Sequence, residues 1–279
     1  MASPSPSPSP SKYNKLAGKN ILVVGGTTGI GFCVAEGCIE HGARRVTITG
    51  ASAASASRAV ERLRAAYPSA PADSIAGHAC DLSSSHSSDA EANAERVLRQ
   101  ATANGTEKLD HIAFLAGDAS GGATPIAELD ARAALPPLLA VRVYGALAFA
   151  KLAPRYVEMS AASSLALTAG ALPDKPLAGR SAVAGVGGAI VALGRSLAVD
   201  LAPVRVNVVS PGLVHTERFE RMFPVDAEGL EGFLGMAKNN TLVKEVGRPE
   251  DTAEAYLYVM KDRFTTGEHI RSNGGVLLV

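Results

Sequence analysis

Short apolar runs alternate along the chain with longer segments in which apolar residues recur at helical spacing. The run N-I-L-V-V at 20–24 is followed by glycines and by an amphipathic segment that ends at Gly42. Later runs include R-V-T-I-T at 45–49, L-D-H-I-A-F-L at 109–115 and R-V-N-V-V at 205–209. Short buried strands that alternate with helices predict an α/β chain built on a parallel sheet, that is, a doubly wound Rossmann fold.

A glycine-rich turn, G-G-T-T-G-I-G at 25–31, joins the first predicted strand to the first predicted helix. Gly25, Gly29 and Gly31 have no Cβ, so the turn can be tight and its backbone can approach a pyrophosphate. The free N–H groups at the start of the helix would bind the phosphates. A tight turn without a ligand needs the same glycines, and the position after the first apolar strand favours the dinucleotide site.

The segment after the second strand indicates which dinucleotide is bound. An acid about twenty residues past the glycine turn would hold the ribose hydroxyls of NAD, but no Asp or Glu occurs between Glu40 and Glu61. Ser52, Ser55 and Arg58 occupy this stretch instead and favour the 2′-phosphate of NADP(H). The two serines can also cap the next helix with Arg58 in solvent, and the two roles are compatible.

Further landmarks follow in a recognisable order. The spacing G-x-x-x-G-x-G, the strand end A-C-D-L at 79–82, the turn S-P-G-L-V-H-T at 210–216 and the C-terminal T-G-E-H-I-R-S-N-G-G together resemble the short-chain dehydrogenase/reductase family. The resemblance covers about residues 16–279 and implies a central seven-stranded parallel sheet flanked by helices. It also implies that Asp81 contacts the adenine and that Thr216 holds the nicotinamide carboxamide.

The turn, the segment after the second strand and the resemblance together predict a set of cofactor-binding residues. They are Gly25, Thr27, Thr28, Gly29, Ile30, Gly31, Ser52, Ser55, Arg58, Asp81, Leu82, Ala116, Gly117, Pro211, Gly212, Val214 and Thr216.

The catalytic positions of the family hold unexpected residues. In the family, a Tyr and a Lys one helical turn apart reach the nicotinamide together, and the Lys lowers the pKa of the Tyr. The matching positions here are Val183 and Gly187, which neither donate nor accept a proton. The family's upstream Ser falls at Ala169 or Gly170, and the nearest hydroxyl is that of Thr168.

Three other polar residues are candidates for catalysis. Asp118 follows the turn F-L-A-G after the fourth strand and could hold a cation, while Arg142 replaces the family's helix Asn and could pair with Asp118 or bind a substrate carbonyl. Asp174, in L-P-D-K-P, is a third candidate. Each also has a structural interpretation. Asp118 can cap a turn, Arg142 can form a structural ion pair, and Asp174 can lie in a surface loop.

The missing Tyr and Lys favour a substrate that accepts hydride without a proton, such as an iminium ion. The erased dyad, the Arg in place of Asn and the segment E-A-Y-L-Y-V-M-K-D at 254–262 resemble a fungal branch of the family, the reductase/Diels-Alderases of bicyclic indole alkaloid pathways. That resemblance implies reduction with NADPH coupled to an intramolecular [4+2] cyclisation. The alternatives are a ketone or enone reductase with a relocated donor (Thr168, Tyr144 or Asp174), a non-redox isomerase or cyclase, and an inactive nucleotide-binding protein.

Composition bounds the remaining properties. With 279 residues and a net charge of +0, the sequence predicts one domain at 12–279, a disordered Ser-Pro tail at 1–11, and no binding of nucleic acid or membrane. The segment at about 213–245 is the predicted substrate loop. The three cysteines fit neither a disulfide framework nor a metal site, and we expect a cytoplasmic protein. The apolar segments 136–153 and 181–200 predict a homodimer or homotetramer.

Overall fold

Seven parallel strands form one sheet in the computed structural model, which describes residues 12–83, 87–117, 123–217 and 227–279. The strands are β1 (Asn20–Val24), β2 (Arg45–Gly50), β3 (Ile75–Ala79), β4 (His111–Phe114), β5 (Ser164–Thr168), β6 (Arg205–Pro211) and β7 (His269–Ser272). Their order across the sheet is β3-β2-β1-β4-β5-β6-β7. The predicted doubly wound Rossmann fold is confirmed.

Eight α-helices of the described residues connect and cover the strands. They are α1 (Gly29–Glu40), α2 (Ala53–Ala66), α3 (Ser87–Ala101), α4 (Ala131–Leu139), α5 (Gly145–Tyr156), α6 (Ser181–Asp200), α7 (Ala227–Asn239) and α8 (Pro249–Lys261). The predicted tail at 1–11, Asp118 and the part of the predicted substrate loop at 218–226 lie outside the described residues.

The core lies in two layers, one on each face of the sheet. Successive side chains of a strand point to opposite faces, so Leu22 and Val24 of β1 pack with α3, α5 and α6, while Ile21 and Val23 pack with α1, α2 and α8. All five residues of β1 are buried. Burial on both faces explains why this strand is a continuous apolar run in the sequence.

The strand order reverses between β1 and β4, which pair through Ile21–His111 to Val24–Phe114. The connections on the two sides of this point run away from each other, so a crevice opens at the carboxyl ends of β1 and β4. Open α/β sheets bind their ligands in this crevice.

The helical stretch that precedes β5 is interrupted by a π-turn at Ala140–Tyr144, between α4 and α5. The N–H of Gly145 donates to the carbonyl of Ala140, five residues earlier. The spacing of apolar residues gives no signal for such a bulge, which commonly marks a functional site. The π-turn carries Arg142 toward the crevice.

Two helical stretches, Ala131–Tyr156 and Ser181–Asp200, are long and apolar enough to cross a membrane, judged by length and composition alone. Both contribute to the core on one face of the sheet, through Phe149 and Ile190 among others. Helices that cover a buried sheet have this composition, so the apolar character follows from their place in the fold.

Candidate active site

A cleft of about 910 Å³ lies at the carboxyl ends of the strands, over the point where the strand order reverses. Most of the predicted cofactor-binding residues line it. Those that do are Gly25, Thr27, Thr28, Gly29, Ile30, Gly31, Asp81, Leu82, Ala116, Gly117, Pro211, Gly212 and Thr216. The structure therefore brings together the glycine turn, the ends of β3 and β4 and the turn after β6.

The glycine turn presents helix α1 end-on to the cleft. At Gly31 a side chain would collide with the carbonyl oxygen of Gly25, so only glycine permits this close packing of helix against turn. The side chain of Thr28, the N-cap, does not cap the helix, and the first amides of α1 have no acceptor within the helix. These donors, with the positive end of the helix dipole, fit the pyrophosphate of a dinucleotide.

At the adenosine end, Gly50 and Ala51 line the cleft directly after β2, where an acid would select NAD. Asp81 lies beyond β3, and its Oδ1 accepts hydrogen bonds from the N–H and hydroxyl of Ser83, which lower the pKa of the Asp81 carboxyl. Asp81 is the one carboxylate among the described residues that line the cleft. The end of β2 therefore places no acidic side chain in the cleft, which agrees with the prediction of NADP(H) instead of NAD.

Four predicted cofactor residues do not line the cleft. Ser52 and Ser55 form a reciprocal capping box at the start of α2, which is the helix-capping role open to them from the sequence. Arg58 is exposed one turn further along α2. Val214 is buried because it pairs with Gly247 in an isolated β-bridge. Direct contact of these four side chains with the cofactor remains a prediction without support from the cleft geometry.

The opposite end of the cleft holds Arg142 and Thr216. The Nη1 of Arg142 donates to the carbonyl of Ala169 over 3.4 Å, and its Nη2 lies 2.7 Å from where a Cβ of Gly117 would be. The methyl group of Thr216 packs against Gly29 of the glycine turn. Strand ends β4 and β5, the π-turn and the turn after β6 therefore meet at this end.

Comparison with known proteins identifies the family. A family model described as an SDR-like Rossmann domain matches residues 12–279. The chain belongs to the short-chain dehydrogenase/reductase family.

Fungal members of the short-chain dehydrogenase/reductase family are similar over almost the whole chain. The short-chain dehydrogenase/reductase malC of Malbranchea aurantiaca is 36% identical over 94% of this chain and 96% of its own, and ucsE of Acremonium sp. is 39% identical over 95% and 97%. A solved structure of MalC Reductase/Diels-Alderase from Malbranchea aurantiaca superposes with a TM-score of 0.87 over 96% of this chain and 100% of that one. The predicted resemblance is confirmed.

A further solved structure is that of a small-chain dehydrogenase in complex with NADPH. It is 25% identical and has a TM-score of 0.69 over 93% of this chain and 98% of that one. A nicotinamide cofactor therefore suits both the family and the cleft of this chain.

Helix α6 is the helix on which the resemblance places the family's Tyr and Lys. Its sequence, SAVAGVGGAIVALGRSLAVD, contains neither residue. A Cβ on the buried Gly187 would lie 2.8 Å from Cγ of Pro173, so the loop after β5 occupies the space beside this position. The place of the expected lysine is therefore filled by Pro173.

Thr168, the nearest hydroxyl to the expected catalytic serine, is engaged inside the sheet. Its Oγ1 donates to the carbonyl of Phe114 over 2.7 Å and lies 2.7 Å from the hydroxyl of the fully buried Tyr256. A hydroxyl has one proton, so Tyr256 must be the donor to Thr168. Burial also raises the pKa of Tyr256, so neither hydroxyl is set up to protonate a substrate.

Asp174, a predicted catalytic residue, is not among the described residues that line the cleft. Its carboxylate accepts hydrogen bonds from Nε and Nη2 of Arg271 at 2.7 and 3.2 Å, and these lower the pKa of Asp174. Nε2 of His269 lies 3.9 Å away. Asp174 is held at this place because its loop, which follows β5, is joined to β7 through Arg271. Asp118 lies outside the described residues, so of the three catalytic candidates the structure places Arg142 alone in the cleft.

Arg180 also lines the cleft, and the sequence did not single it out. It is the N-cap of α6, where its side chain makes no capping hydrogen bond. A cation at the positive end of a helix dipole is electrostatically unfavourable, which is a weak sequence signal for a functional role. Arg142 and Arg180 together give the described part of this end a positive charge.

Proposed function

We propose that this chain is an NADPH-dependent reductase of specialised metabolism that reduces a cationic C=N substrate, with an intramolecular [4+2] cyclisation as a second step in the same pocket. One observation carries the proposal. The described residues that line the cleft include no Tyr, Lys or His, although the glycine turn, the segments after β3 and β4 and the turn after β6 all line it. Such a pocket can orient a substrate but offers it no conventional proton donor.

The chemistry of the two substrate classes differs in its need for that donor. Hydride addition to a ketone leaves an alkoxide that must be protonated, and losing a positioned acid costs about 10²- to 10⁴-fold in rate. Hydride addition to a C=N⁺ carbon forms the C–H bond while the π electrons become the nitrogen lone pair. The product is a neutral amine, and no proton moves.

The residues at the nicotinamide end support a substrate that also carries a carbonyl oxygen. NADPH, when bound, supplies the hydride. Arg142 and Arg180 can hold an amide carbonyl or a carboxylate through their N–H groups and so fix the substrate's orientation. Asp118, predicted from the sequence to balance the cationic nitrogen, follows Gly117 directly in the chain.

The cyclisation step rests on the similarity to MalC, whose structure is described as that of a Reductase/Diels-Alderase. Cycloaddition requires a shaped pocket that holds the reacting ends together and does not need an acid–base pair. Product formed with NADP⁺ in place of NADPH would instead support the non-redox cyclase, and the absence of any turnover would support an inactive nucleotide-binding protein.

Two of the three candidate donors of an ordinary ketone reductase have hydrogen-bond partners, and the third is not among the described residues that line the cleft. Thr168 donates into the sheet, Asp174 pairs with Arg271, and Tyr144 is 43% exposed and is not among the cleft-lining residues.

Two bicyclic compounds of similar size test the proposed reaction. N-methyl-3,4-dihydroisoquinolinium carries a permanent iminium charge, and 1-tetralone replaces that group by a ketone. We expect NADPH oxidation with the iminium and a rate at least about 10²-fold lower with the ketone. Equal rates would contradict the proposal.

We further propose a homodimer or homotetramer built on the apolar helices α5 and α6. Leu147 is 39% exposed and Val199 is 78% exposed on these helices in the isolated chain. Sedimentation equilibrium of the full chain measures the oligomer directly.

A further inference from the structure

The glycine turn holds a hydrogen bond that a simple dinucleotide site would not contain. Oε2 of Glu217 accepts a hydrogen bond from the N–H of Gly29 over 3.1 Å. Gly29 is the first residue of α1, and its N–H is one of the donors available to a pyrophosphate. Glu217 directly follows Thr216 in the turn after β6.

Neighbouring side chains hold this carboxylate in place. Nη2 of Arg62 lies 3.8 Å from the other carboxylate oxygen, Oε1 of Glu217. The guanidinium of Arg62 in turn stacks 4.2 Å from the ring centroid of Phe32 on α1. Helices α1 and α2 and the turn after β6 are therefore bridged across the mouth of the glycine turn.

A smaller cavity of about 370 Å³ adjoins the cofactor cleft. Gly29 and Thr216 line both spaces, whereas Glu217, Arg62 and Glu36 line the smaller one alone. Glu217 thus approaches the glycine turn from the smaller cavity. It binds the N–H of Gly29, a residue that also lines the cofactor cleft.

A carboxylate at this position and a bound pyrophosphate are electrostatically incompatible. Both satisfy the same helix N-terminus, and both are anionic, so each disfavours the other at short range. The N–H of Gly29 cannot donate well to both at once. Glu217 is half-exposed, so its side chain has room to leave.

We propose that the carboxylate of Glu217 takes the place of the cofactor's pyrophosphate in the cofactor-free enzyme. It binds the glycine turn there, and NADPH displaces it. This inference rests on the proposed use of NADPH. Glu217 lowers the affinity for the dinucleotide, because the hydrogen bond between Glu217 and Gly29 must break when the cofactor binds. It also links cofactor binding to the position of Thr216, the preceding residue, whose methyl group packs on Gly29.

The substitution Glu217→Gln removes the charge but keeps the size of the side chain. We expect NADPH to bind this variant about 3- to 10-fold more tightly in a fluorescence titration, with the difference shrinking as salt is added. Glu36→Gln is the matched control, because it removes the same charge from the same small cavity, and it should change the dissociation constant less than about 2-fold. Adenosine 2′-phosphate, which has no pyrophosphate, should bind the Glu217→Gln variant and the unmodified enzyme equally.

A second measurement needs no cofactor. In the cofactor-free enzyme, Glu217→Ala removes the acceptor, so amide hydrogen exchange at the glycine turn should become faster, while Glu36→Ala should leave it unchanged. Unchanged exchange in Glu217→Ala would overturn the proposal, as would unchanged or weaker NADPH binding by a folded Glu217→Gln variant. If the unmodified enzyme did not bind NADPH at all, the proposed cofactor would be wrong, and the exchange experiment would still decide whether Glu217 binds the turn.

Discussion

At the scale of single residues, a glycine on α6 lets the loop after β5 pack close to this helix. The resemblance places the family's lysine at Gly187, and Pro173 packs directly against this glycine. The loop after β5 is held there by Lys175, whose Nζ donates to the main-chain oxygens of Val276 and Val279 over 2.7 Å each. Contacts within the described residues therefore hold Pro173 against α6.

The substitution Gly187→Ala tests this packing. Its Cβ would lie 2.8 Å from Cγ of Pro173, so the loop must shift, and we expect a loss of about 1–3 kcal/mol in the free energy of unfolding. Gly232→Ala is the control, because a Cβ on this helical glycine meets nothing within 4 Å and should stabilise α7 by about 0.5–1 kcal/mol. Urea denaturation measures both. A Gly187→Ala variant as stable as the control would show that Pro173 is not seated on α6.

His111 gives a pH dependence of stability. It is 1% exposed in β4, its Nδ1 lies 2.9 Å from Oγ of Ser164, and burial lowers its pKa from 6.5 to about 3. Between these values the unfolded chain binds a proton that the folded chain does not. Stability is therefore lost as the pH falls below about 6.5, by up to about 1.4 kcal/mol per pH unit from this group.

The variant His111→Gln should be less stable at neutral pH, but its stability should fall less steeply between about pH 6 and pH 4. Urea unfolding at a series of pH values gives both slopes. Parallel curves for the variant and the unmodified chain would mean that His111 does not titrate as its burial requires.

At the scale of elements, cofactor choice depends on how β2 meets α2. Strand β2 ends at Gly50, Ala51 lines the cleft, and Ser52 and Ser55 are used to cap α2. The backbone at this junction carries no acidic side chain into the cleft. The discrimination against a 2′-phosphate that an acid would provide is therefore missing, and this absence favours NADPH more than any one side chain does.

The substitution Ala51→Asp should reverse that preference. A carboxylate at the end of β2 would repel a 2′-phosphate and accept hydrogen bonds from ribose hydroxyls, so we expect NADPH to bind about 10-fold more weakly and NADH more tightly. Titration with both nucleotides measures the change. Ala65→Asp, on the exposed end of α2, adds the same charge away from the cleft and should alter neither affinity. An unchanged ratio in Ala51→Asp would place the adenosine elsewhere.

At the scale of the whole molecule, the apolar runs were enough to predict an α/β chain on a parallel sheet and the glycine spacing was enough to predict its first turn, while the seven strands and most of the other cleft residues were predicted from the family resemblance. The α/β pattern and the first turn depend on local periodicity and on backbone geometry that glycine alone permits. Long-range pairings were not predictable. The ion pair of Asp174 with Arg271 joins residues 97 positions apart, and the hydrogen bond between Gly29 and Glu217 joins residues 188 positions apart. The π-turn that aims Arg142 has no apolar signature, and Arg180 was missed because a single cation at a helix N-terminus is only a weak signal in the sequence.

The central claim is that hydride moves and a proton does not. The most direct measurement follows the isotope in the product when the enzyme reduces N-methyl-3,4-dihydroisoquinolinium with NADPH deuterated at C4 of the nicotinamide, with 1-tetralone as the matched ketone. The account predicts one deuterium on the former iminium carbon, a rate that barely changes with pH or in heavy water, and little or no 1-tetralol. Deuterated 1-tetralol formed as fast as the amine, at a rate that depends on an ionising group, would contradict it.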